Sequence, residues 1–251
     1  MICEETKALL REYAQQYETS DFIVGDPSWW MHQVEGDANR EATAFVASVL
    51  SYGSRQQFMP KIGLLLDLAD GDMDRWLRSG GYAEQFFPDD KSCFYRLYCN
   101  ATMRSFFDAY RMMLDDYGTL GEYVRQSCPD GSGLSAVEAI CSYFAAQGVS
   151  VVVPKDITSA CKRVCMFLRW MVRSGSPVDL GLWAGFIDRR TLIVPLDTHV
   201  ATQSVRLGLL ASKCASMSAA RRLSATLSTI FPDDPLRGDF ALFGYGVNHA
   251  D

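Results

Sequence analysis

No stretch of this chain approaches the 18 or more consecutive apolar residues that a membrane span needs, so no membrane partner is expected. The opening residues, Met1 to Lys7, are polar and acidic, unlike a secretory signal, and the expected compartment is the cytoplasm. Eight cysteines are scattered at positions 3, 93, 99, 128, 141, 161, 165 and 214. They form neither a disulfide framework nor an iron–sulfur motif. Cys161 and Cys165 share a helix face, but two thiols are half a zinc site and no second pair lies nearby. Buried, reduced thiols are expected, with no metal and no cofactor. Strand signals are also scarce. Gly148–Val153 and Thr191–Val194 are too short and isolated to build a sheet and should be extended connectors. No internal repeat or low-complexity tract is present.

What is present is helix. With 251 residues and 48% hydrophobic content, the chain is large enough for a real core. Apolar spacing and capping residues predict helices at about 4–17, 38–52, 54–68, 72–79, 91–100, 103–116, 119–126, 135–146, 158–174, 198–209, 216–230 and 236–246. The expected class is all-α. The Ser127–Gly133 loop divides the chain into an acidic lobe, roughly 1–130, and a basic lobe, 131–251.

The net charge of −6 hides an asymmetry. Residues 150–230 hold eleven bases and four acids, a surplus of seven. A basic lobe on an acidic body is a footprint of phosphate-backbone binding. Solvated, arginine-rich helix faces would give the same count.

The segment Leu192-Ile193-Val194-Pro195-Leu196-Asp197-Thr198-His199-Val200 carries an apolar run into a lone carboxylate and a new helix. Asp197 would be held by the first backbone N–H groups of that helix. It suits a general base or the stabiliser of a developing cation. It also suits a plain N-cap. Lys162 lies 35 residues earlier, near the start of the preceding predicted helix, where the dipole disfavours a cation. Burial of such an amine is one route to a nucleophile or Schiff-base former; an exposed lysine touching phosphate or solvent is the plain alternative. His199 should pack or hydrogen-bond locally, since Asp197 and His199 alone do not make a metal site. Trp170, Trp183, Tyr52 and Trp29-Trp30 could stack bases, although aromatics at helical spacing are core by default.

Pro195-Leu196-Asp197-Thr198-His199-Val200 resembles the V-D-T-H-V signature of the helix-hairpin-helix DNA glycosylase superfamily, with its endonuclease III-like fold of two helical lobes. Val49-Leu50-Ser51 resembles that superfamily's L-L-S-A-Q segment, and the long gap from Lys162 to Asp197 is similar to that of archaeal 8-oxoguanine glycosylases. The chain also resembles a bacterial family of unknown function over nearly its whole length. That second resemblance includes Ser51–Gln57, Ser159–Arg163, Phe167–Arg173, Val178–Trp183, Pro232–Pro235 and Asp239–Gly244.

The superfamily resemblance implies base-excision chemistry on damaged duplex DNA. Asp197 would support an oxocarbenium-like sugar, and Lys162 would attack C1′ in a glycosylase with lyase activity. Lys155, Arg169, Arg189 and Arg190 would contact phosphates. Trp183 or Tyr52 would stack, His199 would lie at the substrate site, and Gln56 or Gln57 would stand in for the Gln replaced by Gly53. The expected protein is a monomer. The hairpin departs from L-P-G-x-G: Val153-Pro154-Lys155-Asp156-Ile157-Thr158 has no glycine, leaving Lys155 and the next helix N-terminus to hold phosphate. Two other readings stay open: a nucleic-acid-binding protein of this fold without chemistry, and a hydrolase of a nucleoside or modified RNA.

Overall fold

A computed structural model describes residues 2–249. The helices are α1 (Glu4–Tyr17), α2 (Asp37–Leu50), α3 (Arg55–Leu68), α4 (Met73–Ser79), α5 (Asn100–Tyr117), α6 (Leu120–Ser127), α7 (Gly133–Ala146), α8 (Lys162–Val172), α9 (Thr198–Arg206), α10 (Met217–Ser228) and α11 (Arg237–Asn248). Two short strands, β1 (Cys93–Tyr95) and β2 (Tyr98–Cys99), pair antiparallel. The protein is predominantly helical. Among the described residues no helix is long and apolar enough to cross a membrane.

The hairpin replaces the helix expected at 91–100. Phe94, Tyr95 and Tyr98 are aromatic and buried, a composition that favours a strand over a helix. The two-residue turn between the strands needs a positive φ, and Arg96 supplies it at 50°. The segments at 148–153 and 191–194 form no strand and act as connectors, as expected. Most other helix ends fall within a few residues of expectation, which is ordinary fraying.

The chain divides into two compact units. One comprises residues 1–24, 131–137 and 157–251; the other comprises 25–130 and 138–156. This corrects the division expected at about residue 130. The N-terminal helix belongs with the C-terminal helices, and 138–156 belongs with the middle of the chain. The physical reason is pairing of distant apolar faces. Leu10 and Ala14 of α1 are buried, and Tyr13 and Tyr17 meet Tyr245 and Phe243 of α11 at ring separations of 6.1 and 5.9 Å.

In the unit built on 25–130, α2 is buried along nearly its whole length. Phe45 of α2 sits among Phe106 and Tyr110 of α5 and Phe144 of α7, with ring centroids 5.2–5.9 Å apart. Glu41, a buried carboxylate on the same helix, accepts the first backbone N–H groups of α6 from Leu120 at 2.8 Å and Gly121 at 3.2 Å. An anion at a helix N-terminus satisfies donors that would otherwise be orphaned.

In the other unit the central element is α8, whose residues from Val164 to Val172 are all buried. The Val178–Trp183 segment docks on its C-terminal carbonyls: Leu180 N–H donates to Trp170 O at 2.8 Å and Trp183 N–H to Met171 O at 2.7 Å. This closes the end of α8 without solvent.

Candidate active site

Lys162 is the first residue of α8. The residue before it, Cys161, adopts a left-handed conformation (φ 46°, ψ 38°), which costs a non-glycine residue about 1–2 kcal/mol. This turn ends the preceding extended strip, where Ser159 bridges to Ser216 ahead of α10. It explains why α8 starts at 162 rather than 158. Lys162 is half-buried, at the helix end where the dipole disfavours its charge.

Asp197 arrives by a different route. Leu192 to Leu196 are buried, and Val194 N–H donates to Ser224 Oγ of α10 at 2.9 Å. Gly133 N–H donates to Thr191 Oγ1 at 2.8 Å, fixing the start of the run. Asp197 then caps α9, with Oδ1 accepting from Val200 N–H at 2.9 Å, and is itself half-buried. The expected cap is therefore present. A β-carbon on Gly133 would lie 2.8 Å from Thr191 O and 2.9 Å from Leu192 Cα. Those are backbone atoms with little freedom to move. Gly133→Ala should destabilise the fold by about 1–3 kcal/mol and lower the melting temperature by several degrees. A thermal melt followed by circular dichroism checks this; an unchanged midpoint would mean that this close approach does not constrain the run.

Asp239, on the first turn of α11, lies within the electrostatic reach of both. Its side chain is 12% exposed and lies 2.5 Å from Arg169 Nη1. Burial pushes its carboxyl up, Arg169 pulls it down, Asp197 raises it further and Lys162 lowers it. Asp239 thus feels both Asp197 and Lys162. Arg169 lies seven residues after Lys162 on α8, two turns along the same face. The candidate residues are thus a lysine and two carboxylates of one unit, and the carboxylate of Asp239 is anchored by a buried guanidinium.

Arg169 is not a phosphate contact. It is 4% exposed, and its Nε lies 3.3 Å from Asp179 Oδ1. Its guanidinium also lies 4.7 Å from the Phe240 ring centroid. One helical turn on, Arg173 is 2% exposed and binds Glu18, Asp179 and Asp234, the last at 2.8 Å. Burial alone would lower the Arg173 pKa, but Asp179, Asp234 and Glu18 outweigh it and push it up. Asp179 has no exposed side-chain surface; burial raises its carboxyl against the pull of both arginines. Ionic groups this deep must be paired.

Trp183 is not available for stacking. It is 2% exposed and packs edge-on against Phe167 at 5.2 Å, because its backbone is tied to the end of α8. Arg189 donates through Nε to Asp233 O at 3.0 Å, and Arg190 is exposed and paired with Asp188 at 2.7 Å. His199 is exposed, with Nε2 directly over Gly246 of α11, where a β-carbon would lie 2.2 Å away. Tyr52, Gln56 and Lys155 belong to the other unit. Tyr52 is half-buried, 5.1 Å from Tyr95, with Arg96 5.6 Å over its ring. Gln56 is exposed, and Lys155 is exposed with its ammonium 3.9 Å from Asp156. Cys161 and Cys165 are buried, and burial pushes the Cys165 thiol well up, which keeps it inert. Among the described residues no group of three or more His, Cys, Asp or Glu is placed to hold a metal ion.

Asp239 escaped sequence reasoning because nothing local connects α11 to α8. A signal did exist for the arginines. Arg169 lies within Val164–Val172, an otherwise apolar stretch, and Arg173 follows it directly on the same face; such residues must be paired inside.

A model of the family described as "Protein of unknown function (DUF2400)" matches residues 26–248, and the chain belongs to that family. No curated protein and no solved structure matches it.

Proposed function

We propose that this protein is a DNA base-excision glycosylase with the endonuclease III-like, helix-hairpin-helix fold. What supports the reading is that Lys162 opens α8 and Asp197 caps α9 within one compact unit, and that the charges of both act on Asp239 of α11. The Lys162 amine, once deprotonated, adds to C1′ of a flipped-out nucleotide. The C1′–N bond breaks with its electron pair going to the base, which leaves protonated. The resulting N,O-acetal opens by breaking C1′–O4′, with O4′ taking a proton to become a hydroxyl, to give a Schiff base, and loss of a C2′ proton allows the 3′ phosphate to depart. Asp197 stabilises the cationic sugar, and Asp239, held by Arg169, supports the charge on Lys162. DNA is the proposed partner and the cytoplasm the proposed compartment.

Borohydride trapping on abasic and 8-oxoguanine duplexes tests the lyase step. A covalent adduct that disappears in Lys162→Ala supports it. No adduct and no base release on either duplex would overturn the reading.

A second reading has its own support. The unit carrying Lys162 and Asp197 has 13 basic and 12 acidic side chains, because the acids of residues 1–24 and 231–251 offset the basic stretch at 150–230. Two of its arginines, Arg169 and Arg173, are spent internally. A near-neutral unit favours a smaller substrate, such as a nucleoside or a modified RNA. Salt titration separates the two. Binding of a fluorescent duplex should fall steeply between low and physiological salt if several phosphates are contacted. A flat or absent response would favour the smaller substrate.

A further inference from the structure

The unit that holds Lys162 and Asp197 also contains an open cavity of about 730 Å³, within the range of small-ligand sites. Neither Lys162 nor Asp197 lines it. Its wall includes four arginines, the buried Arg173 and three from distant parts of the chain: Arg11 on α1, Arg189, and Arg237 at the start of α11. Arg11 makes no hydrogen bond or ion pair among the described residues. Arg189 uses only its Nε, on Asp233 O, and Arg237 only its Nε, on Glu18 at 3.0 Å. Their terminal nitrogens have no hydrogen bond among the described residues.

The acids of the same wall are largely consumed. Glu18 is bound by Arg173 and Arg237, and Asp234 by Arg173. With Arg173 counted, the wall carries one more arginine than acids, and the terminal nitrogens of Arg11, Arg189 and Arg237 are its unspent donors. Ser174 and Ser176 add hydroxyls, in a turn that Gly175 makes at φ +77°. Phe231 and two prolines give the wall an apolar side, and the Arg237 guanidinium lies 5.7 Å from the Phe231 ring centroid. Planar guanidinium forks with unspent donors match phosphate oxygens. An apolar wall beside them suits a flat ring.

The geometry points to a phosphate-ester site in this cavity, shaped for a nucleoside monophosphate, either free or at the phosphorylated end of a strand. This proposal is independent of chemistry at Lys162.

Isothermal titration of the full chain with AMP, adenosine, and an oligonucleotide with and without a 5′-phosphate tests it. AMP should bind at least about tenfold more tightly than adenosine, since hydrogen bonds to charged groups carry that difference. Arg11→Ala combined with Arg189→Ala should weaken AMP at least about tenfold with a melting temperature near wild type. If that pair unfolds the protein, Arg11→Gln, on an exposed position of α1, should still weaken AMP. Tighter binding of the phosphorylated oligonucleotide than of AMP, lost when the phosphate is removed, assigns the site to a strand end. Equal or tighter binding of AMP assigns it to a free nucleotide. Binding of AMP no tighter than adenosine, or affinity unchanged in the folded arginine variants, would overturn the proposal. Lys162→Ala should leave AMP affinity unaltered while abolishing borohydride trapping, so the two readings fail separately.

Discussion

An Asp197→Asn variant should fold as the wild type does and release base about 100- to 1,000-fold more slowly. Asn and Asp are comparable N-caps, and the side-chain oxygen that accepts Val200 N–H at 2.9 Å remains, so stability should change by at most about 1 kcal/mol. What disappears is the negative charge that a cationic sugar needs. Loss of one preorganised electrostatic group costs about two to three orders of magnitude in turnover. Duplex affinity should hold, which separates chemistry from binding. Asp239 offers an internal check. Asp197 is one of the influences raising its carboxyl, so Asp239 should titrate lower in the variant. The comparison needs melting temperature, duplex affinity and base release on the same preparation. Unchanged base release in a folded Asn variant would make Asp197 a structural cap and leave the non-catalytic binding reading standing.

Arg173→Met should be far more damaging to the fold than any change at Asp197. The guanidinium neutralises Glu18, Asp179 and Asp234 from a position only 2% exposed. Methionine fills much of the volume but leaves these carboxylates without it. Breaking a buried ion pair from one side costs about 3–5 kcal/mol, a large share of the stability of a typical domain. Arg173→Lys should not rescue it, because one ammonium cannot replace a planar fork that reaches three acids.

The pH dependence gives a second signature. The folded-state pKa of Asp179 is already raised by burial, and removing Arg173 raises it further. A carboxyl whose folded pKa exceeds its unfolded value contributes stability below the unfolded pKa and loses it as pH rises through the folded one. The deficit of the variant should therefore be larger at pH 8 than at pH 5. Denaturant melts at the two pH values measure this. A deficit that shrinks as pH rises would show that Asp179 is not the group left exposed to the loss.

Much of this protein is legible along the chain. Apolar spacing places α1, α2, α3, α6 and α7 to within a residue or two, because each ends on local turn chemistry and all but the deeply buried α2 present one apolar stripe. The cap at Asp197 follows from an apolar run meeting Asp-Thr, and the buried thiols of α8 from their spacing. Local chemistry misled at two places. Phe94, Tyr95 and Tyr98 fit a helical pattern until the positive φ of Arg96 folds them into a hairpin. The start of α8 depends on the strained backbone of Cys161, which sequence does not reveal.

The partners of the charges were not legible, although the apolar surroundings of Arg169 marked it for burial. An arginine reads the same whether it faces phosphate or carboxylate. Arg169 looked like a nucleic-acid contact and is an internal partner of Asp239 and Asp179. Arg173 binds Glu18, which lies 155 residues away in sequence. Local sequence sets where most of the helices run, which residue caps α9 and which side chains are chemically able to act. Tertiary packing settles which charges are spent on one another, that α1 closes onto α11, and that Asp239 is held by Arg169. Propensity and capping act within a turn or two of the helix, whereas an ion pair between buried groups exists only when packing brings distant segments together and strips water from both.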